Sequence, residues 1–246
     1  MRPAALDYVH RLLIAEIQRV VGSHPTRILD LDCGTGATLL HLAKVFPVTE
    51  LLGVTHQAAA CAIAQRAAQQ QGVAERCRFL CADPAAVDSR AEVILLSNAL
   101  SRSQAPESLL HYSQQYLAKT GTAFILDHFL TEAHAQLSPD TCRLLDGLQQ
   151  PGLMTLDHLE SGLEHLELPL ASLRDLSGLV QPHPWQATVL AGASRLLRPF
   201  SWRGHPWPLA VHHADALNQC LHAGLLRYCM LTARRIASRH DGTWLE

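Results

Sequence analysis

Two aspartates and two glycines fall close together in the run ILDLDCGTG at residues 28–36. Glycines between a strand and a helix let backbone N–H groups approach a ligand closely, and Gly34 and Gly36 are the pivots of such a turn. A dinucleotide fingerprint would need a third glycine, and Thr38 and Leu39 stand where it would fall, so a nicotinamide cofactor is disfavoured. The plainer alternative is a turn that only joins a strand to a helix. Fifteen histidines form no HExxH pattern, and the pair His212–His213 has no cysteine or carboxylate set near it, so the sequence supports no metal site. Seven cysteines, odd in number and mostly within apolar runs, read as reduced core thiols.

The elements that must position the turn follow from periodicity. Leu6, Val9, Leu13, Ile17 and Val20 recur every three or four positions, so residues 4–21 read as an amphipathic helix ahead of the main domain. From residue 26 the period changes. RILDL is a short apolar run ending in the glycine turn, and ATLLHLAKVF resumes helical spacing as far as Pro47. The alternation continues through ELLGV, an Ala/Gln-rich helix at 56–71, RCRFLCA, EVILLS, a helix at about 106–118 and GTAFILD. Strands alternating with helices in this way imply an α/β fold with a parallel, doubly wound sheet. Beyond Asp127, residues 129–168 read as helical, 170–177 as a sixth strand and HPWQATVLAGASRLL as another helix. An irregular loop is expected at 198–208, a last helix at about 209–223 and a closing strand in LLRYCMLTARR.

A chain of 246 residues with 48% hydrophobic and 17% charged content buries one large core, so one domain with helical elaboration is expected. A net charge of −2 and the lack of any Lys/Arg run argue against nucleic acid as a partner. No apolar stretch reaches the ~20 residues of a bilayer span, which points to a soluble, cytoplasmic protein.

Taken in order, ILDLDCGTG, GVTHQ at 53–57, CADP at 81–84, LSNAL at 96–100 and LAKTGTAFILDHFL at 117–130 resemble the motif series of the class I S-adenosylmethionine-dependent methyltransferases. MTLDHLESGLEHLELPLASLRDLS and LLRYCMLTARR are similar to the tail of the small-molecule members of the ubiquinone, tocopherol and sarcosine type. The resemblance implies a Rossmann-like, seven-stranded, mostly parallel sheet with helical cap elements. It divides the single domain into a cap helix at 1–24, a cofactor-binding core at 25–128, and cap segments with closing strands at 129–246. The implied cofactor is S-adenosylmethionine. Asp30 and the turn Cys33, Gly34 and Gly36 would face its methionine portion, Thr55 with Gln57 its ribose, Asp83 its adenine amino group, and Asn98 its sulfonium. The sequence departs from the family pattern at Asp32, where a glycine is usual, and at Thr55, where many members carry an acid for the ribose hydroxyls. Asp32 is expected to turn outward and cap the following helix by accepting from the N–H groups of residues 34 and 35.

The implied reaction is methyl transfer to carbon or oxygen of a small apolar metabolite. In-line placement alone can supply ~7–11 kcal/mol of such a barrier, and a general base adds ~10²–10⁴ in rate where the acceptor must lose a proton. His128 is the first candidate base, with neighbouring Asp127 expected to orient the ring and raise its basicity, although successive strand residues face opposite ways. His183 is the second. Asn98 is followed by Ala99–Leu100–Ser101, which removes support for amide-type N-methylation, and Ser97–Asn98 offers no carboxylate for Mg²⁺. Trp185 and Trp202 are placed to line an apolar acceptor pocket and Arg198 to hold an anionic group on the acceptor, with a homodimer left open. Two rival readings remain. One is a degenerate methyltransferase fold serving as a partner protein; the other is a cofactor-bound enzyme that catalyses a cyclisation without methyl transfer.

Overall fold

The computed structural model describes residues 3–132, 137–180, 184–197 and 206–235. Seven strands, β1 (Arg27–Leu31), β2 (Glu50–Thr55), β3 (Cys77–Cys81), β4 (Ala91–Ser97), β5 (Leu117–Leu130), β6 (Leu170–Asp175) and β7 (Leu226–Arg234), form one sheet in the order β3-β2-β1-β4-β5-β7-β6. The first five are parallel. The closing strand β7 lies antiparallel between β5 and β6.

The helices are α1 (Pro3–Val20), α2 (Ala37–Val45), α3 (Ala58–Gln70), α4 (Pro106–Tyr116), α5 (Pro139–Asp146), α6 (Leu156–His165), α7 (Ser177–Val180), α8 (Pro184–Leu197) and α9 (Pro206–His222). Because side chains alternate across a strand, the sheet feeds two cores. Ile28, Val93, Leu95, Phe124 and Tyr228 meet the buried stripe Val9, Leu13, Ile14 and Ile17 of α1 together with residues of α2 and α3. Leu29, Leu31, Ile94, Leu96, Ile125 and Phe129 meet Leu109 and Leu110 of α4 and Leu159 and Leu163 of α6. A smaller cluster joins Leu145, Cys220 and Leu221 of α5 and α9 to Leu130 and Leu226 at the ends of β5 and β7.

Several boundaries differ from the sequence expectation: Phe129 and Leu130 belong to β5, the chain between α5 and α6 is not helical, and β6 ends at Asp175, before α7. α4 stops at Tyr116, because Leu117 already pairs with Ala91 of β4, and β5 consequently runs for 14 residues. α9 starts at Pro206, inside the segment expected to be irregular; proline suits a first helical turn because the N–H it lacks would have no partner there. The remainder of that loop lies outside the described residues. Among the described residues, no helix is long and apolar enough to cross a membrane.

β1 neighbours β2 on one side and β4 on the other, so the winding of the chain reverses between β1 and β4. Open α/β sheets bind ligands at such a point, beyond the carboxyl ends of the strands.

Candidate active site

The turn leaving β1 is left-handed at Asp32 (φ 71°), Gly34 (φ 53°) and Gly36 (φ 75°), and aspartate is among the few side chains that tolerate this conformation. The two glycines do different work. A Cβ at Gly36 would sit 2.5 Å from the Phe79 ring and 3.0 Å from Ala64, so this glycine lets the turn pack on the core. A Cβ at Gly34 would meet nothing within 4 Å, so the bare backbone there faces open space. That space is a cavity of about 190 Å³ bordered by Cys33, Gly34, Thr35, Asn98, Leu126 and Tyr228, with Leu6, Val9, His10 and Leu13 of α1 forming its roof. A second cavity, of about 480 Å³, is bordered by Asp32, His56, Asp83, Pro84, Ser108 and Tyr112. Arg102 borders both.

Three aspartates define the electrostatics. Asp30 is 1% exposed and its Oδ1 has no hydrogen-bond partner. Burial pushes its pKa up to about 8, with nearby Asp32 adding to the rise and Arg102 opposing it. Asp32 does not cap α2, whose first turn receives no side-chain hydrogen bond. Its Oδ2 instead lies 3.1 Å from Nη2 of Arg102, while Oδ1 accepts from the Thr55 hydroxyl at 3.4 Å and lies 3.9 Å from Nδ1 of His56. Strand register sets this arrangement. Leu31 pairs with Val54, so the next residues along, Asp32 and Thr55, emerge side by side. A guanidinium also outcompetes neutral N–H groups for a carboxylate. Asp83 accepts from the Ala85 N–H at 2.8 Å, starting a short 3₁₀ turn at Pro84–Ala86, while also bordering the larger cavity.

Of the other cofactor residues, Asn98 ends β4 in a left-handed conformation (φ 52°) and borders the smaller cavity together with Tyr228. Thr55 is buried against Asp32 and accepts from the Gln57 N–H at 3.4 Å. The Gln57 side chain is exposed and borders neither cavity.

The expected partnership of Asp127 with the His128 ring is absent. The buried Asp127 carboxylate accepts from the backbone N–H groups of Ser101 at 3.1 Å and His128 at 2.8 Å. The alternation of the strand sends the His128 ring to the opposite face, against Tyr228 with centroids 4.8 Å apart. Its Nδ1 has no partner, and burial lowers its pKa to about 4 rather than raising it. His183, Arg198 and Trp202 lie outside the described residues, and Trp185 falls in α8. Two residues of the site escaped sequence reasoning. Arg102 stands four positions after Asn98 and donates from Nε to its carbonyl at 2.6 Å, a spacing legible only once the loop after β4 is known to turn. Tyr228 sits opposite His128 in the antiparallel register of β7, which no local motif announces.

Residues 28–121 match the family model described as a methyltransferase domain. The chain is 24% identical over 236 residues to ajmaline N-methyltransferase of Rauvolfia serpentina, covering 91% of this chain and 81% of that protein. Among solved structures it is similar to a putative sarcosine dimethylglycine methyltransferase from Galdieria sulphuraria (TM-score 0.74, 14% identity, 94% of this chain and 86% of that one). It is also similar to the 4+2 cyclase SpnF (TM-score 0.71, 22% identity, 92% of this chain and 80% of that one). Residues 28–121 thus form a methyltransferase domain, the whole chain has the fold of the class I S-adenosylmethionine-dependent methyltransferases, and these likenesses support S-adenosylmethionine as the cofactor.

Proposed function

We propose that this enzyme, acting in the cytoplasm, moves the methyl group of S-adenosylmethionine to a carbon or oxygen of a small apolar metabolite. The observation that carries the reading is the buried Asp30 carboxyl with its partnerless oxygen, close to a glycine turn whose bare backbone opens on a cavity. A buried carboxyl without a partner is costly, and an incoming ammonium removes the cost. The methionine end of the cofactor carries such a group.

Asp30 would therefore hold the ammonium and the N–H groups of the 33–36 turn the carboxylate. Asp83 would accept from the adenine amino group. The ribose hydroxyls fall to Asp32 with Thr55. The acid missing at the end of β2 is replaced by one at the end of β1, so the two departures from the family pattern form a single exchange between adjacent strands. When bound, the cofactor supplies a methyl group already activated on a sulfonium.

The chain's own residues do the rest. Leu6, Val9 and Leu13 of α1, with Leu126, offer an apolar wall to the acceptor and exclude water. Asn98 and Tyr228 form part of the floor of this cavity. His128 is the group that takes a proton from an acceptor that must lose one, being unprotonated throughout the neutral range. An anionic group on the acceptor, held by Arg198, and a homodimer complete the proposal. Incubation with methyl-labelled S-adenosylmethionine and a panel of apolar phenols, alcohols and enolisable ketones tests it. Release of S-adenosylhomocysteine with labelled product is expected. Cofactor bound but unchanged across the panel would turn the reading toward a non-methylating reaction, and no binding at millimolar cofactor would overturn it.

A further inference from the structure

Apart from the residues assigned to the cofactor, α1 and α2 bring Asp7, His10 and His41 together beside the smaller cavity. Asp7 and His10 are three residues apart on α1 and so share one face of that helix, and His41 comes from α2, which packs against it. One ligand-type atom from each of the three residues lies within 4.8 Å of the other two. The rings of His10 and His41 have centroids 4.7 Å apart. His10 is 6% exposed; its Nε2 lies 3.5 Å from the Thr38 hydroxyl, and its Nδ1 has no partner. A buried imidazole nitrogen left unpaired is unfavourable for the empty fold. With a second imidazole and a carboxylate close by, the three residues together make an incomplete ligand set.

We propose that Asp7, His10 and His41 bind a divalent transition ion of the zinc type, which staples α1 to α2 at the mouth of the cofactor cleft. Two imidazoles and one carboxylate suit zinc, cobalt or nickel better than calcium or magnesium, and the fourth position stays open to water. Bonds of about 2.0–2.2 Å put tetrahedral donor atoms about 3.4 Å apart, so the set closes by the exposed Asp7 changing rotamer and the half-buried His41 turning its ring. The Thr38 hydroxyl is already placed to fix the His10 ring, as outer partners of metal-bound histidines do. His10 borders the smaller cavity with Leu6, Val9 and Leu13, so an ion holding α1 down slows cofactor exchange. That consequence rests on the proposed function; the metal site itself does not.

The test uses the full chain, stripped with chelator and titrated with zinc chloride by calorimetry, beside His41→Gln and Asp7→Asn, with circular dichroism melts to confirm folding. One equivalent is expected to bind wild type, at least tenfold more weakly to His41→Gln, and more weakly by a smaller factor to Asp7→Asn. Zinc should raise the Tm of wild type and leave that of His41→Gln unchanged. Cobalt(II) should give visible d–d bands without a thiolate charge-transfer band. Equal affinity in His41→Gln, no stoichiometric binding, or a thiolate band from one of the cysteines would overturn the site. Bound zinc should slow release of S-adenosylhomocysteine from wild type; unchanged release would overturn the staple. A protein that binds zinc through these residues but takes up no S-adenosylhomocysteine leaves the metal site standing and sinks the methyltransferase reading.

Discussion

At Asp30, burial and the neighbouring Asp32 both oppose ionisation, Arg102 partly offsets them, and the group titrates at about 8, against about 3.9 in an unfolded chain. The folded protein holds this proton more tightly than the unfolded one, so the contribution to stability is full below pH 4 and is lost as pH rises toward 8. Asp30→Asn should therefore raise the Tm of the free protein at pH 7.5 by several degrees, at about 2–4 °C per kcal/mol for a chain of this size, while weakening cofactor binding. A lowered Tm would show that the carboxyl is ionised and satisfied. In wild type, affinity for S-adenosylhomocysteine should climb between about pH 5.5 and 7.5 by up to tenfold per unit, because an ammonium calls for the ionised acid; calorimetry giving a flat profile would remove Asp30 from the site. The glycines separate in the same manner. Gly36→Val should unfold or strongly destabilise the domain through Phe79, whereas Gly34→Ala should keep the fold and weaken binding. Neither difference was legible in DCGTG, because it depends on Phe79, a residue of another strand. If His128 is the base, His128→Gln should lower turnover by ~10²–10⁴ with cofactor affinity nearly unchanged, and the wild-type rate should show no break near pH 6.5. A full-rate variant would leave the transfer to placement alone.

The loop after β4 carries Arg102, and its geometry depends on β5. Asp127 accepts from the Ser101 N–H, so a residue of one strand fixes the loop that follows its neighbour. Asp127→Ala leaves two buried N–H groups without acceptors, at about 1–3 kcal/mol, and frees the loop. A lowered Tm together with weaker binding of S-adenosylhomocysteine is expected, with Asp127→Asn recovering part of both. Loss of stability with cofactor affinity intact would mean that the loop keeps its shape without this anchor. The strand–helix alternation made the order of the elements readable from residue 26 onward, since an apolar run of period two and a helix of period 3.6 leave different traces. The sequence could not show that β5 begins directly after Tyr116, because that boundary is set by pairing with Ala91 rather than by any local signal. Asp127 failed as a partner for the His128 ring for a similar reason: adjacency in sequence along a strand is separation in space.

Across the whole molecule, the cleft lies where the winding reverses between β1 and β4, and one ion pair spans it, from Arg102 on the β4 side to Asp32 on the β1 side. Arg102 borders both cavities, so a cofactor with its methionine end at Gly34 and its adenine end at Asp83 must pass this pair. The Arg102 side chain is 42% exposed and that of Asp32 12%, which limits the pair to about 0–1 kcal/mol and leaves it displaceable. An aspartate aimed at the methionine carboxylate would repel it by about 1 kcal/mol in water and more in a drier cleft; pairing with Arg102 and Thr55 draws the charge away. Asp32→Gly then removes the acceptor for the ribose hydroxyls and leaves a bare guanidinium near a cationic cofactor. Binding should weaken at least tenfold, about 1.4 kcal/mol. Thr55→Glu in the Asp32→Gly background returns a carboxylate to the adjacent strand end and should recover most of the loss, whereas Thr55→Glu alone, crowding two acids together, should not help. Arg102→Ala should change equilibrium affinity little and speed association, because no pair must open first. Calorimetry and stopped-flow tryptophan fluorescence read both quantities. A hundredfold gain in affinity on Asp32→Gly would mean that the native chain blocks its own cofactor site, and a partner-protein role on a degenerate fold would then account for Asp32 and Thr55 better than catalysis does.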